Sequence, residues 1–311
     1  VTEPGSQPHE VEPARRAVLI VTHTGRAEAI ASAQLAAARL AAAGIQVRIP
    51  QSQATDLQLP AATVVAGVSG AASGCELVMV LGGDGTILRG AEFARGSDAA
   101  LLGVNLGHVG FLAEAEQEDL TAVVDRIVAR SYLVEERMTL DVVVLREGRE
   151  HSRTWAVNEA SVEKQARERM LDVVAEVDGR PLSRWGCDGV VCATPTGSTA
   201  YAFSAGGPVV WPQVQALLMV PLSAHALFAR PLVVAPTSVL ALELTDRAAD
   251  GGVLWCDGRR MVDLRPGDRV EVRRSTEPLR LARLQQLPFT DRLVRKFDLP
   301  VDGWRGRSSR G

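Results

Sequence analysis

The chain has 311 residues, of which 46% are hydrophobic and 23% charged, with a formal net charge of -3. That length supports two domains with substantial cores, and the composition excludes a disordered chain. The mild acidity argues against a dedicated nucleic-acid binder, and no apolar run approaches the roughly 18–20 residues of a membrane span, so neither nucleic acid nor membrane is an expected partner.

Residues 1–14 are rich in Pro, Glu and Ser and read as a mobile tail. The polar start, Val1 to Arg16, has no signal-peptide core. Ala17 to Val21 is a short buried strand, followed by a Thr22-His23-Thr24-Gly25 loop and an Ala-rich helix from Arg26 to Ala43, stopped at Gly44. Ile45 to Ile49 is a second strand, and the Ala/Gly-rich stretch from Gln51 to Ser73 has no clear period. Leu77 to Leu81 is a third strand, and a helix runs from Ile87 to about Arg95. Leu101 to Val104 is a fourth strand, and residues 117–129 form an amphipathic helix carrying Leu120, Val123, Val124, Ile127 and Val128 on its apolar side. Strands alternating with helices in this rhythm predict βαβ units and a parallel sheet. We expect an α/β domain over 15–130.

After that boundary the pattern turns to β. Leu140 to Leu145 meets a Glu147-Gly148 turn with Thr154 to Val157 as its partner, and Leu171 to Val177 meets Asp178-Gly179, a strong hairpin signal. Val190 to Ala193, Val239 to Leu244, Val253 to Cys256 and Arg269 to Val272 complete a mainly β domain over 131–278. The remainder, 279–311, holds a basic helix at 290–297 and is expected to pack back on the first domain.

Between the third strand and its helix lies Gly82-Gly83-Asp84-Gly85-Thr86. Ligands of open α/β sheets sit beyond the carboxyl ends of the strands. Glycines there let backbone N–H groups close around phosphate oxygens, and a helix N-terminus adds favourable charge. An acid in such a loop repels the phosphate that the loop attracts, so Asp84 needs a reason. Taking a proton from a hydroxyl nucleophile or holding a metal would supply one; a turn-capping Asp is the plainer alternative. The only lysines are Lys164 and Lys296. A Walker-type lysine is therefore excluded at this loop, and backbone amides, arginine and a divalent cation must supply the positive charge. The cysteines, Cys75, Cys187, Cys192 and Cys256, show neither metal-ligand nor disulfide spacing, which is the pattern of reduced thiols in a cytoplasmic protein.

Asn105-Leu106-Gly107-His108-Val109-Gly110-Phe111-Leu112 is a second glycine-bearing loop at a strand end. His108 could be catalytic there, but a structural role is the commoner one for a lone loop histidine. Asn158-Glu159 offers an amide and an acid to a nucleoside. Asp188-Gly189, a buried strand and Thr194-Pro195-Thr196-Gly197-Ser198-Thr199-Ala200-Tyr201 then repeat the theme of a strand ending in Gly and hydroxyl residues, with Tyr201 available to stack on a ring.

Together these segments resemble the bacterial-type NAD kinases. The matching marks are GGDGT at 82–86, NLGHVGFL at 105–112, NE at 158–159, DGVVCATPTGSTAYAFSAGGP at 188–208 and PLSAHALFARPLVV at 221–234. The pentapeptide alone is shared with lipid kinases and phosphofructokinases, so a lipid or sugar kinase, or a non-catalytic nucleotide sensor, are the alternative readings. The resemblance implies a phosphofructokinase/diacylglycerol-kinase-like α/β domain followed by a mainly β domain. It implies transfer of the γ-phosphoryl of ATP, or of polyphosphate, to the adenosine-ribose 2′-hydroxyl of NAD, with Mg²⁺ or Mn²⁺ as cofactor. Carried over by position, Asp84 is the base and ribose partner, while Gly82, Gly83, Gly85 and Thr86 form the phosphate loop. Asn158, Glu159, Arg169, Asp188, Thr199, Ala200, Tyr201, Ala202, Phe203 and Ser204, with Phe111, Asp257 and Arg259, form the NAD pocket. In the family the Asp188 position reaches NAD across a subunit boundary, which implies a homodimer or homotetramer. Many members carry Lys or Arg where this chain has Gly186; Arg184 is the candidate replacement.

Overall fold

The computed structural model describes residues 16–68, 70–105, 112, 115–116, 120–166, 168–246, 251–285 and 288–301. In chain order the first half builds β1 (Ala17–Thr22), α1 (Ala27–Ala42), β2 (Gln46–Pro50), α2 (Ala54–Leu57), β3 (Thr63–Val65), β4 (Leu77–Leu81), α3 (Asp84–Ala94), β5 (Ala100–Asn105), β6 (Ala115–Glu116), α4 (Leu120–Val128) and β7 (Leu133–Arg137). The second half adds β8 (Leu140–Arg146), β9 (Arg149–Ala156), β10 (Glu159–Lys164), β11 (Leu171–Val177), β12 (Arg180–Cys187), β13 (Gly189–Ala193), α5 (Tyr201–Ser204), β14 (Leu217–Leu222), β15 (Leu232–Val234), β16 (Leu240–Leu244), β17 (Gly252–Cys256), β18 (Arg260–Leu264) and β19 (Arg269–Arg274). The chain then returns through β20 (Leu279–Arg283) and ends its described part with α6 (Phe289–Phe297).

The first sheet has the order β3-β2-β1-β4-β5-β20-β7, with β6 also paired to β5. Strands β1 to β5 run parallel, as the βαβ rhythm predicts. Period-two alternation divides β1 between two cores: Val18 and Ile20 meet the α1 and α4 side, and Ala17, Leu19 and Val21 meet the α3 side. Helix α3 lies unusually close to β4, because a Cβ on Gly90 would come 2.3 Å from a Val80 methyl. That closeness fixes where the N-terminus of α3 sits.

Two antiparallel six-stranded sheets, β15-β14-β13-β10-β17-β18 and β12-β11-β16-β19-β8-β9, enclose the second core. Val142, Val162, Val173, Leu242 and Leu254 from both sheets, with fully buried Trp185, fill it. Its hairpins turn where the sequence says. Asp178 and Gly179 have φ of 53° and 73°, and Glu147 and Gly148 have 52° and 73°, the left-handed pairs of tight two-residue turns.

Two expectations change. Helix α3 begins at Asp84, not Ile87, because Gly83 is extended and serves as the cap residue, so the acid sits in the first turn. Strand β7 follows the expected 130/131 boundary yet belongs to the first sheet, running antiparallel to β20. As an edge strand it buries only Arg137 fully, so it has no apolar alternation to read. Strand β20 also runs parallel to β5, which brings the segment after 279 back to the first sheet. Among the described residues no helix is long and apolar enough to cross a membrane.

Candidate active site

At the carboxyl ends of β1 and β4 a cleft of about 500 Å³ is lined by Thr22, His23, Thr24, Gly25, Arg26, Ala29, Gly82, Gly83, Gly85, Thr86, Arg89 and Arg259. Its floor is set by sequence. A side chain on Gly82 would place Cβ 2.6 Å from Thr86 Oγ1, so only glycine lets the chain turn this tightly from β4 into α3. The end of β1 is held by buried Gln53, whose amide accepts from Thr22 N at 3.1 Å and donates to Thr22 O at 2.7 Å. Helices α1 and α3 both open onto this cleft, and neither has a side-chain cap. In α3 the chain's own bonds start with Thr86 N and Ile87 N to Gly83 O, leaving the Asp84 and Gly85 N–H groups without an intrahelical acceptor. Two helix N-termini and three arginines thus face one space, which is the chemistry of a polyanion site. The phosphate-loop residues Gly82, Gly83, Gly85 and Thr86 all line it.

Asp84 lies in the same turn but is not among the lining side chains. Its Oδ1 is buried and makes no hydrogen bond among the described residues. A buried carboxylate oxygen left unpaired is costly, and it marks the place where a hydroxyl or a cation from outside would bond.

The segments expected to meet NAD pack back to back. Thr194 N donates to Asn158 O at 2.9 Å and Thr194 Oγ1 to Val157 O at 2.7 Å. The turn then passes so close that a Cβ on Gly197 would lie 2.0 Å from Asn158 O. Asp257, at φ 54°, clamps the other side: its carboxylate accepts from Val157 N and from Asn158 N at 2.7 Å, and from Arg260 at 2.7 Å. Burial pushes the Asp257 carboxyl up, while those two N–H groups and Arg260 pull it back. Glu159 is only 8% exposed and accepts from Tyr201 N at 3.4 Å. Burial first, and then the Asp257 charge, push its carboxyl up to about 8.

Asn158, Glu159, Thr199, Ala200 and Tyr201 therefore come together, with Tyr201 partly exposed and Ser204 at the surface. Other expected contacts are placed differently. Ala202 is fully buried against Val191, Val210, Leu218 and Val220, so its side chain faces the core and not a ligand. The Phe203 ring stacks on Phe297 of α6 at 4.5 Å. Asp257 acts on the backbone of the site, and Arg259 lines the phosphate cleft. Arg169 is exposed in the turn before β11. Phe111 and the 106–111 part of the second glycine loop, including His108, lie outside the described residues.

Arg184 pairs not with Asp188 but with Asp172, at 2.7 and 2.8 Å. Instead Lys164 meets Asp188 at 2.6 Å and holds that carboxyl below the usual range. Sequence reasoning missed Lys164, and also Arg26, Arg89, Glu92 and Arg260. Its one available signal was that Lys164 ends the strand that begins with Glu159. The four cysteines are buried and unpaired, and burial pushes the thiols of Cys187, Cys192 and Cys256 up to about 12, which leaves them inert.

Comparison with known proteins follows the same division. Residues 18–132 match the family model of the ATP-NAD kinase N-terminal domain, and residues 157–284 that of the ATP-NAD kinase C-terminal domain. The chain is 61% identical over 307 residues to the NAD kinase of Thermobifida fusca (strain YX), covering 96% of this chain and 94% of that one. It is 62% identical over 293 residues to NAD kinase 2 of Streptomyces coelicolor, covering 94% and 97%. Among solved structures, yeast NADH kinase complexed with NADH superposes with a TM-score of 0.81 at 22% identity, covering 98% of this chain and 95% of that chain. An NAD kinase from Archaeoglobus fulgidus in complex with ATP gives 0.68 at 24%, covering 92% and 100%. Those two likenesses establish a shared fold. Both family models match in order across the halves that build the cleft, and relatives above 60% identity run along nearly the whole length; the chain belongs to the NAD kinase family.

Proposed function

We propose that the chain transfers the terminal phosphoryl group of ATP to the adenosine-ribose 2′-hydroxyl of NAD, giving NADP and ADP. The observation that carries this reading is the buried, unpartnered Asp84 Oδ1 in the first turn of α3, beside a cleft walled by arginines and two helix N-termini. The polyphosphate chain would lie against Arg26, Arg89, Arg259 and the free N–H groups of the glycine turn. The ribose hydroxyl would donate to Asp84 Oδ1. As its oxygen bonds to the γ-phosphorus, the bond to the bridging oxygen of ADP breaks and the hydroxyl proton passes to Asp84, which later releases it to solvent. Most of the acceleration comes from alignment and charge neutralisation, since phosphoryl transfer has a loose transition state.

On this reading Tyr201 supplies a stacking face for NAD. Glu159, neutral at pH 7, supplies a hydrogen-bond donor to a ribose oxygen. Among the described residues no three His, Cys, Asp or Glu side chains cluster as a metal site. The donor set therefore fits a cation held mainly by substrate phosphates with Asp84 as its protein carboxylate. Bound there, Mg²⁺ or Mn²⁺ would neutralise charge on the β- and γ-phosphates. Asp188, partly exposed beside Lys164, supports a contact with NAD bound to a second copy, in a homodimer or homotetramer.

The test is product formation. NAD or NADH is incubated with Mg²⁺ and either ATP or polyphosphate, and NADP(H) is read with an NADP-specific dehydrogenase. Asp84→Asn should lower kcat by about 10²–10⁴ while NAD binding persists. Absence of NADP(H) with every donor, or near-normal kcat in the variant, would overturn the proposal.

A further inference from the structure

Among the described residues Arg259 is the one cleft-lining arginine contributed by the second half of the chain, and its orientation is fixed by a neighbour. Glu92, two turns along α3 from Asp84, accepts from Arg259 Nε at 3.0 Å and Nη2 at 3.4 Å. That uses one edge of the guanidinium and leaves Nη1 for the cleft. Glu92 is itself fixed. Arg260 Nη1 donates to it at 2.6 Å, and Arg260 Nη2 donates to Trp155 O at 2.8 Å and to Asp257 at 2.7 Å. The Arg260 guanidinium also lies 4.6 Å over the Trp155 ring, whose other contact of this kind is Arg95, again at 4.6 Å. Side-chain exposure is highest at the cleft end, 36% for Arg259, and lower behind it, at 16% for Glu92, 24% for Arg260 and 1% for Asp257. The flexible end is the one at the cleft, and everything behind it is held.

We propose that Glu92 is a positioning residue for the phosphate donor, presenting Arg259 to the cleft from a brace anchored on Arg260, Asp257 and Trp155. A lysine at this place would need no such brace, since an ammonium bonds in any direction, whereas a planar fork must be aimed. Aiming it before the donor arrives removes an ordering cost from binding. The proposal rests on the reading of the cleft as the donor site, but not on NAD being the acceptor.

The experiment is a calorimetric titration of the full chain with inorganic tripolyphosphate, backed by steady-state kinetics. Arg259→Gln should weaken tripolyphosphate about tenfold and Glu92→Gln about fivefold. The double variant should match Arg259→Gln within about twofold, because both changes remove one group. In turnover Glu92→Gln should raise the KM for ATP and leave the KM for NAD within about twofold, since Arg260 keeps its bonds to Asp257 and Trp155. A purely structural role would lower the melting temperature and move both KM values together. Additive losses, a parallel rise in the KM for NAD, or unchanged affinity in Glu92→Gln would overturn the proposal. So would unchanged affinity in Arg259→Gln, a partly exposed position that decides the matter even where Glu92→Gln does not fold. A wild-type chain that binds tripolyphosphate but forms no NADP(H) would remove NAD as acceptor and leave this inference to the titration.

Discussion

Glu159→Gln should stabilise the protein, by an amount that grows as pH rises from about 5 to about 8. In the folded chain the Glu159 carboxyl is 8% exposed and titrates at about 8, while an unhindered glutamate titrates near 4.5. Between those values the unfolded chain has lost its proton and the folded chain keeps it. The unfolded state therefore binds fewer protons, and stability falls as pH rises through this window, levelling above about pH 8. At 1.36 kcal/mol for each pH unit, the gap gives an upper bound of roughly 4–5 kcal/mol. Tyr201 N and reorganisation around the charge reduce it, so we expect a loss of about 2–4 kcal/mol. Glutamine keeps the shape and the acceptor for Tyr201 N and has no proton to lose. Urea denaturation of both proteins at pH 5, 6, 7, 8 and 9 isolates the effect, because titrating groups not coupled to Glu159 cancel in the difference. The two should be close at pH 5, with Glu159→Gln pulling ahead up to about pH 8 and holding that lead at pH 9. A difference constant across that range would mean that Glu159 is ionised throughout and that the burial argument is wrong.

Gly197→Ala should cost on the order of 3–5 kcal/mol, because its Cβ would lie 2.0 Å from the carbonyl oxygen of Asn158, a backbone atom with no room to move; an unchanged urea midpoint refutes the packing. Tyr201→Leu removes a ring surface needed equally in ground and transition states, so the KM for NAD should rise by about 5–30-fold with kcat largely kept, a loss of roughly 1–2 kcal/mol. A fall in kcat alone would give Tyr201 a different role. Turnover should stop in excess EDTA and return with Mg²⁺ or Mn²⁺, and undiminished activity in chelator would contradict a cation at the phosphates. Light scattering should find the active species to be at least a dimer, and a fully active monomer would remove the proposed reach of Asp188 into a second copy.

Much of this was legible because local physics left few options. A strand of five apolar residues running into Gly82-Gly83-Asp84-Gly85 can only turn tightly, and the position of the turn at a parallel strand end follows from the βαβ rhythm. The Asp178-Gly179 hairpin is as direct. Strands such as β12 and β18 escaped because their apolar residues do not alternate cleanly, Leu182 and Met261 standing exposed, and β12 carries Pro181 and Gly186, which read as turn residues. Strand β7 escaped because its place is set by β20, a strand from the far end of the chain. Within the site, the residue types were readable but not their assignments. Nothing local says that Gly197 must sit against Asn158, or that Arg184 turns to Asp172 and leaves Asp188 to Lys164. With arginine so abundant, the choice of carboxylate for each guanidinium is made by tertiary geometry alone.

That abundance also shapes how the two halves meet. On the proposed mechanism the base, Asp84, rides on α3, and the segment that would hold NAD, residues 157–159, rides on the second domain. A loose joint between them would misalign the hydroxyl and the phosphorus by more than the reaction tolerates. The joint is instead closed at two levels. Near the cleft, Glu92 of α3 takes both Arg259 and Arg260. About one turn further, where α3 ends, Arg95 donates to Thr139 Oγ1 at 3.2 Å and Ser275 Oγ at 3.0 Å, pairs with Glu277 at 2.9 Å, and lies over the Trp155 ring, as Arg260 does. Burial lowers the Arg95 pKa, which is the sign of a guanidinium drawn out of water into the joint. Trp155 lies two residues before Val157, so a ring in contact with two arginines of different origin links the position of α3 to Asn158 and Glu159. On that mechanism the residues that join the two halves also set the distance across which the phosphoryl group would move.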